Sequence, residues 1–142
     1  MKVKVKYLRD VPELEHTDIG DWIDLYVPET IKLIGNKLKM IPLGVAIELP
    51  KGYEALIAPR SSTFKRYGVI MANSIGVVDE SYKGDNDEWL FPAYILEDRA
   101  FIIPKGARIC QFRIIKKQPK IEFETVETLG NEDRGGYGST GV

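Results

Sequence analysis

Cysteine and histidine are nearly missing: the 142-residue chain holds one of each, Cys110 and His16. A single thiol forms no internal disulfide, and one Cys with one His supplies no zinc-ligand spacing. An excess of either charge is missing too. Twenty Lys and Arg stand against 21 Asp and Glu, a net charge of −1, without the cationic surplus that non-specific nucleic-acid binding needs. No apolar run approaches the roughly 20 residues that span a bilayer. The opening Met1-Lys2-Val3-Lys4-Val5-Lys6 alternates and forms no apolar leader core. The expectation is a cytoplasmic protein with neither nucleic acid nor membrane as partner. With 29% charged and 44% apolar residues, the composition is that of one ordinary globular domain.

What is present is a series of short β-prone runs. Val3, Val5 and Tyr7 alternate with lysines, which predicts a half-buried strand. Runs at 23–27, 31–34, 38–41, 45–49 and 53–58 follow, then 89–96, 101–103, 108–115 and 121–126. Each is rich in Val, Ile, Tyr or Phe and is bounded by Gly, Pro, Asn or Asp. Gly35-Asn36 predicts a tight hairpin between two of them, and Pro50-Lys51-Gly52 predicts another turn-bounded pair. Many short strands at this spacing predict an all-β sandwich or barrel. Only residues 61–67 read as helix, with Ser61 and Ser62 as cap candidates and Gly68 at the position after the end. One or two turns are unstable alone, so this helix must dock on the sheets.

The chain is organised around residues 73–84, Asn-Ser-Ile-Gly-Val-Val-Asp-Glu-Ser-Tyr-Lys-Gly. A strand through Ile75, Val77 and Val78 runs into an acidic bend at Asp79, Glu80 and Ser81, and the pattern predicts a hairpin restarting after Tyr82 and Gly84. A hairpin mouth offers backbone N–H and C=O groups, a carboxylate and an aromatic face together. Such a set can hold a planar base, a sugar and an activated water. The alternative is a surface hairpin with a solvated tip.

Three other stretches carry chemistry. Pro59-Arg60-Ser61-Ser62 combines a guanidinium, two hydroxyls and a helix start, which suits a phosphate; the alternative is a plain Ser N-cap. In residues 108–113 strand alternation puts Ile109, Gln111 and Arg113 on one face. Gln111 can donate to an oxyanion without adding charge; the alternative is an exposed strand face. Residues 133–141 supply Arg134, Tyr137, Ser139, Thr140 and four glycines, 135, 136, 138 and 141. A glycine-rich segment can wrap amides around phosphate oxygens. Tyr137 would stack on a base while Gly138, Ser139 and Thr140 meet the terminal phosphate; the alternative is a frayed terminus. Asp24, a carboxylate inside an apolar strand, is either an outer-shell metal group or a cap for a neighbouring turn.

In this order the stretches resemble the trimeric dUTPase family, dUTP nucleotidohydrolases, in the form carried by bacteria and phages. The resemblance covers nearly the whole chain as five motifs, at 20–25, 59–68, 73–84, 107–112 and 134–141. It implies a jelly-roll fold, with one short helix after Pro-Arg-Ser-Ser, over residues 1–130. A mobile C-terminal arm over 131–142 would close on the nucleotide. The implied reaction is hydrolysis of dUTP to dUMP and pyrophosphate by in-line attack of water on the α-phosphorus. By position, Asp79 would activate the water, and Tyr82 would pack on the deoxyribose and exclude a 2′-hydroxyl. Asn73 with the backbone of Gly76, Val77, Val78 and Asp79 would read the uracil edge. Arg60, Ser61, Ser62 and Gln111 would hold phosphates, and Asp24 would act on Mg²⁺ through a water. The resemblance further implies a homotrimer whose active sites are shared between subunits.

Two departures from the family pattern concern the site. Trp22-Ile23 precede Asp24 where family members carry small residues. Arg134 lies three residues before Tyr137, closer than in the common pattern, and that aromatic is Tyr in place of Phe. The stretch 85–92 brings Trp89 and Phe91 near the hairpin, so either is expected to cover the uracil with Tyr137 or in its stead. Two rival readings stand beside hydrolysis. A dCTP deaminase of the same fold would need an acid/base carboxylate at the base, and no Glu follows in the apolar run before Glu97. A regulatory binding protein, modulated by nucleotide, would contact another protein through the same domain.

Overall fold

The computed structural model describes residues 1–136. In chain order it has β1 (Lys4–Tyr7), β2 (Ile23–Tyr26), β3 (Ile31–Ile34), β4 (Leu38–Pro42), β5 (Val45–Glu48) and β6 (Tyr53–Pro59). After these come α1 (Thr63–Tyr67), β7 (Val69–Met71), β8 (Gly76–Val78), β9 (Leu90–Ile95), β10 (Ala100–Ile103) and β11 (Arg108–Lys116). All pairings are antiparallel, in the orders β2-β11-β6-β8, β4-β9-β7, β1-β5 and β10-β3.

The inward positions of all four sheets meet in one core. Ile31 and Leu33 of β3 are buried while Lys32 and Ile34 between and after them are exposed, the two-residue period of a strand with one covered face. The same core takes Leu25 and Phe112 from the largest sheet, Ile41, Phe91 and Ile95 from the second, and Val45 and Ile47 from the third. The sheets do not close on themselves among the described residues. The result is an all-β sandwich of jelly-roll type, with a single short helix among the described residues.

Helix α1 sits where residues 61–67 predict it, two residues shorter at its start. Gly68 ends it in the left-handed region at φ 60°. A Cβ there would stand 2.3 Å from Phe101 Cζ, so only glycine lets the helix end dock against β10. Ser62 occupies the cap position without a side-chain hydrogen bond. The bond is made elsewhere: fully buried Thr63 accepts the Arg60 N–H at 3.0 Å and donates to the Ile109 carbonyl at 2.6 Å.

Several pairings differ from those the turn signals predict. The strands flanking Gly35-Asn36 do not pair with each other; β3 joins β10 and β4 joins β9. Asn36 adopts φ 59°, and this turn passes the chain from one sheet to another. Likewise β5 pairs with β1, while β6 lies between β11 and β8. Residues 73–84 form only the first arm of the expected hairpin, β8; no strand follows before Leu90. Residues 121–126 form no strand, and Phe123 is 90% exposed. In β11 a register shift relative to β2 between Arg108 and Cys110 leaves Ile109 and Cys110 both buried. The outward face therefore carries Gln111 and Arg113 without Ile109. The buried Cys110 thiol has its pKa pushed up, first by desolvation and then by Asp24.

Candidate active site

β8 is the edge of its sheet, bonded to β6 with Gly76 opposite Ile57, Val77 opposite Leu56 and Val78 opposite Ala55. Among the described residues its other edge has no ladder partner for its backbone N–H and C=O groups. Beside it lies a cavity of about 290 Å³, near the lower end of small-molecule sites. Asn73, Gly76, Val77, Val78, Asp79 and Tyr82 line it, together with Glu88 and Trp89. Ile57 and Met71 add apolar surface. Gly76 is packed so closely that a Cβ would stand 3.1 Å from both Ile57 Cβ and Met71 Cε. A side chain at that position would make Ile57 or the end of Met71 give way by a few tenths of an ångström.

The bend after β8 is held by its own side chains. Asp79 Oδ1 accepts the Ser81 N–H at 2.7 Å and the Ser81 hydroxyl as well. The Ser81 hydroxyl, then its amide, hold the Asp79 carboxyl below the usual carboxylate range, so Asp79 is ionised at neutral pH. Tyr82 is 41% exposed at the cavity mouth, and its hydroxyl donates to the Glu88 carbonyl at 3.2 Å. Glu88 is itself fixed, accepting Arg9 Nε at 2.7 Å and the Gly44 N–H at 3.0 Å.

A second cluster lies at the end of the β2-β11-β6 ladder. Gln111 stands opposite Asp24 on one side and Ala58 on the other, two residues before Arg60. Asp24 Oδ1 is 2.8 Å from Arg60 Nε, and Asp24 Oδ2 is 3.2 Å from Arg108 Nη1. Ser61 is exposed and Ser62 half-buried beside them. None of these residues lines the β8 cavity. Within one chain the expected site is thus divided in two: a pocket for a small planar molecule, and a polar, Arg-bearing patch.

A family model described as dUTPase matches residues 20–141. The chain belongs to the dUTPase family. It is 56% identical over its whole length to the SPbeta prophage-derived deoxyuridine 5'-triphosphate nucleotidohydrolase of Bacillus subtilis, covering 99% of that protein. It is 37% identical to the deoxyuridine 5'-triphosphate nucleotidohydrolase of Finegoldia magna, with 99% of each covered. Among solved structures it is similar to a mutant dUTPase of Staphylococcus bacteriophage 80alpha with dUpNHpp, at a TM-score of 0.83, 20% identity and 99% coverage of each chain. That likeness is one of fold.

Set against the family pattern, the described residues of the middle motif come together at one cavity, and those of the first, second and fourth motifs come together at the other patch. Arg134 is exposed in a stretch without regular structure and lines no part of the cavity. Tyr137, Gly138, Ser139 and Thr140 lie outside the described residues. Phe91 is not placed to cover a base. Strand alternation along β9 turns it inward opposite Ile41, with no exposed surface, while Leu90 and Pro92 face outward. Trp89 is also buried, packed edge-to-face on Phe112 at 5.1 Å, so it is a wall of the cavity and no cover. Among the described residues its Nε1 finds no hydrogen-bond partner.

The described residues form no group of three or more His, Cys, Asp or Glu that could hold a metal ion. Both oxygens of Asp24 are occupied by guanidinium groups. Asp24, so engaged, does not fit the part of a free carboxylate that ligates Mg²⁺ directly. Residues that the sequence did not single out include Thr63, which ties Arg60 to β11, and Glu88, which anchors Tyr82. Thr63 lies inside the 59–68 motif, but its burial depends on β11, far away in sequence. No helix among the described residues is long and apolar enough to cross a membrane.

Proposed function

We propose that this protein is a dUTP diphosphatase, hydrolysing dUTP to dUMP and pyrophosphate. The observation that carries the reading is the convergence of Asn73, the β8 edge, Asp79 and Tyr82 on one cavity in a chain of the dUTPase family. Uracil enters against the free edge of β8, where Asn73 and the backbone of Gly76, Val77 and Val78 pair with its polar edge. Cytosine would leave such groups mismatched and is rejected on that account. Tyr82, fixed through Glu88, lies flat on the deoxyribose and leaves no room for a 2′-hydroxyl.

Asp79, ionised and held by Ser81, accepts a proton from water as the water oxygen bonds to the α-phosphorus. The bond from that phosphorus to the oxygen bridging toward the β-phosphorus breaks in line, and pyrophosphate leaves. Arg60, oriented by Asp24, supplies positive charge to the phosphates with Ser61, Ser62 and Gln111 as donors. In this reading Mg²⁺ arrives on the triphosphate as part of the substrate, with Asp24 reaching it through water.

The division of the site within one chain supports a homotrimer in which a second copy brings its Arg60 patch to the β8 cavity. The outward face of the β4-β9 pair is apolar and exposed at Leu38, Met40 and Leu90, and Met40 and Leu90 continue into the cavity wall. The 1–130 region forms the jelly-roll domain. The 131–142 segment, with Arg134 and Tyr137 to Thr140, closes over the phosphates from a further copy. The setting is the cytoplasm, where dUTP is removed and dUMP supplied for dTTP synthesis.

The test is single-turnover hydrolysis by wild type and Asp79→Asn. The variant binds dUTP with unchanged affinity and turns over at least about a hundredfold more slowly. Near-wild-type turnover would remove Asp79 from the role of base.

A further inference from the structure

Glu80, next in the chain to Asp79, is joined to two other segments. At one end of the β11-β6-β8 ladder three stretches come level: Lys117 follows β11, Gly52 precedes β6, and Glu80 comes two residues after β8. Glu80 Oε2 accepts the Gly52 N–H at 2.5 Å and Glu80 Oε1 lies 2.6 Å from Lys117 Nζ. Gly52 also accepts the Lys117 N–H at 3.0 Å through its carbonyl. The ladder's last rung is therefore completed by a side chain reaching across from β8.

We propose that Glu80 is a positioning residue for dUTP hydrolysis, fixing the Asp79 carboxylate by clasping Gly52 and Lys117. The proposal rests on the hydrolase reading above. Asp79 is flanked by two anchored residues: Val78 in register with Ala55, and Glu80 in the clasp. With its neighbours tied on both sides and Ser81 bonded to its Oδ1, the carboxylate has little room to move relative to β8. In-line attack tolerates little misplacement, a shift of about 1 Å costing roughly a hundredfold in rate. The clasp also ties this bend to Lys117, which bonds Gly52 just before β6 and opens onto the stretch 118–136, where there is no helix or strand. A plain surface ion pair would contribute little. Here one carboxylate oxygen takes a backbone amide that has no other acceptor in the ladder, so its loss acts on backbone placement.

The experiment is steady-state hydrolysis of Mg²⁺-dUTP by wild type, Glu80→Ala, Glu80→Gln and Lys117→Met, with thermal melting of each. Glu80→Ala is expected to lower kcat about tenfold with KM within about twofold. Glu80→Gln, which keeps an acceptor for the Gly52 N–H, recovers most of the loss. Lys117→Met falls between wild type and Glu80→Ala. Wild-type kcat in Glu80→Ala, or a Glu80→Gln variant no better than Glu80→Ala, overturns the positioning role while leaving hydrolysis intact. A wild-type protein that releases no pyrophosphate from dUTP overturns the hydrolase reading itself, and the proposal with it.

Discussion

Arg60 Nε lies 2.8 Å from Asp24 Oδ1, across three strands' ends, although the two residues are far apart in sequence. Both side chains are about three-quarters buried, at 26% and 21% exposure, so the pair is better shielded than a surface bridge. Asp24 points the guanidinium and is in turn shared with Arg108. Asp24→Asn should therefore raise the KM for dUTP without abolishing turnover, and Arg60→Ala should raise it further, by about tenfold. KM values unchanged in both variants would take the patch out of substrate binding.

The pH dependence follows from the state of Asp79. The Ser81 hydroxyl and amide stabilise its charged form, so its pKa lies below the ordinary value. The active form is the ionised one, and activity is lost only as pH falls through that lowered pKa. The acid limb of kcat/KM from this group should thus lie below the ordinary range of an aspartate carboxyl. Ser81→Ala removes the largest lowering contribution and should move the limb upward. A limb unmoved in that variant, or one moving down, would show that Asp79 is not the titrating group.

Thr63 joins stability to the phosphate patch. It is wholly buried, takes the Arg60 N–H and gives its hydroxyl to Ile109. Thr63→Val keeps the shape and leaves two backbone groups without partners, at a cost of about 1–3 kcal/mol. Chemical denaturation should show that loss, with a higher KM for dUTP because Arg60 follows directly from the freed amide.

Phe91 should behave as a core residue. Phe91→Ala is expected to destabilise the fold by about 3–5 kcal/mol, read as a lower denaturation midpoint. A Phe91→Leu variant, which retains most of the packing, should bind dUTP as wild type does. A stable Phe91→Ala protein with weakened dUTP binding would restore Phe91 as a cover for the base.

Strand positions were legible because burial imposes a two-residue period on runs such as Ile31-Lys32-Leu33-Ile34. Which strands pair was not. Gly35-Asn36 and Pro50-Lys51-Gly52 announce turns, but a turn says only that the chain changes direction, and here each carries it to a different sheet. The restart expected after Tyr82 failed for a related reason: the 79–87 loop satisfies itself through Asp79 with Ser81 and Gly84 with Asp87. Of the candidate site, the grouping of Asn73, Gly76 to Asp79 and Tyr82 at one cavity was legible, since these residues lie close in sequence. The Asp24–Arg60 pair was hidden because three strands bring it together. Phe91 misled by type, an aromatic near the expected pocket, although its alternation with exposed Leu90 already marked it as inward.

One assay bears on all of this: pyrophosphate release with Mg²⁺ from dUTP, dCTP, dTTP and UTP in parallel. Rapid release from dUTP, with the other three slower by orders of magnitude, is the expected result; it would establish together the uracil contacts at β8 and the sugar discrimination by Tyr82. Ammonia from dCTP, comparable release from UTP, or release from none of the four would contradict it.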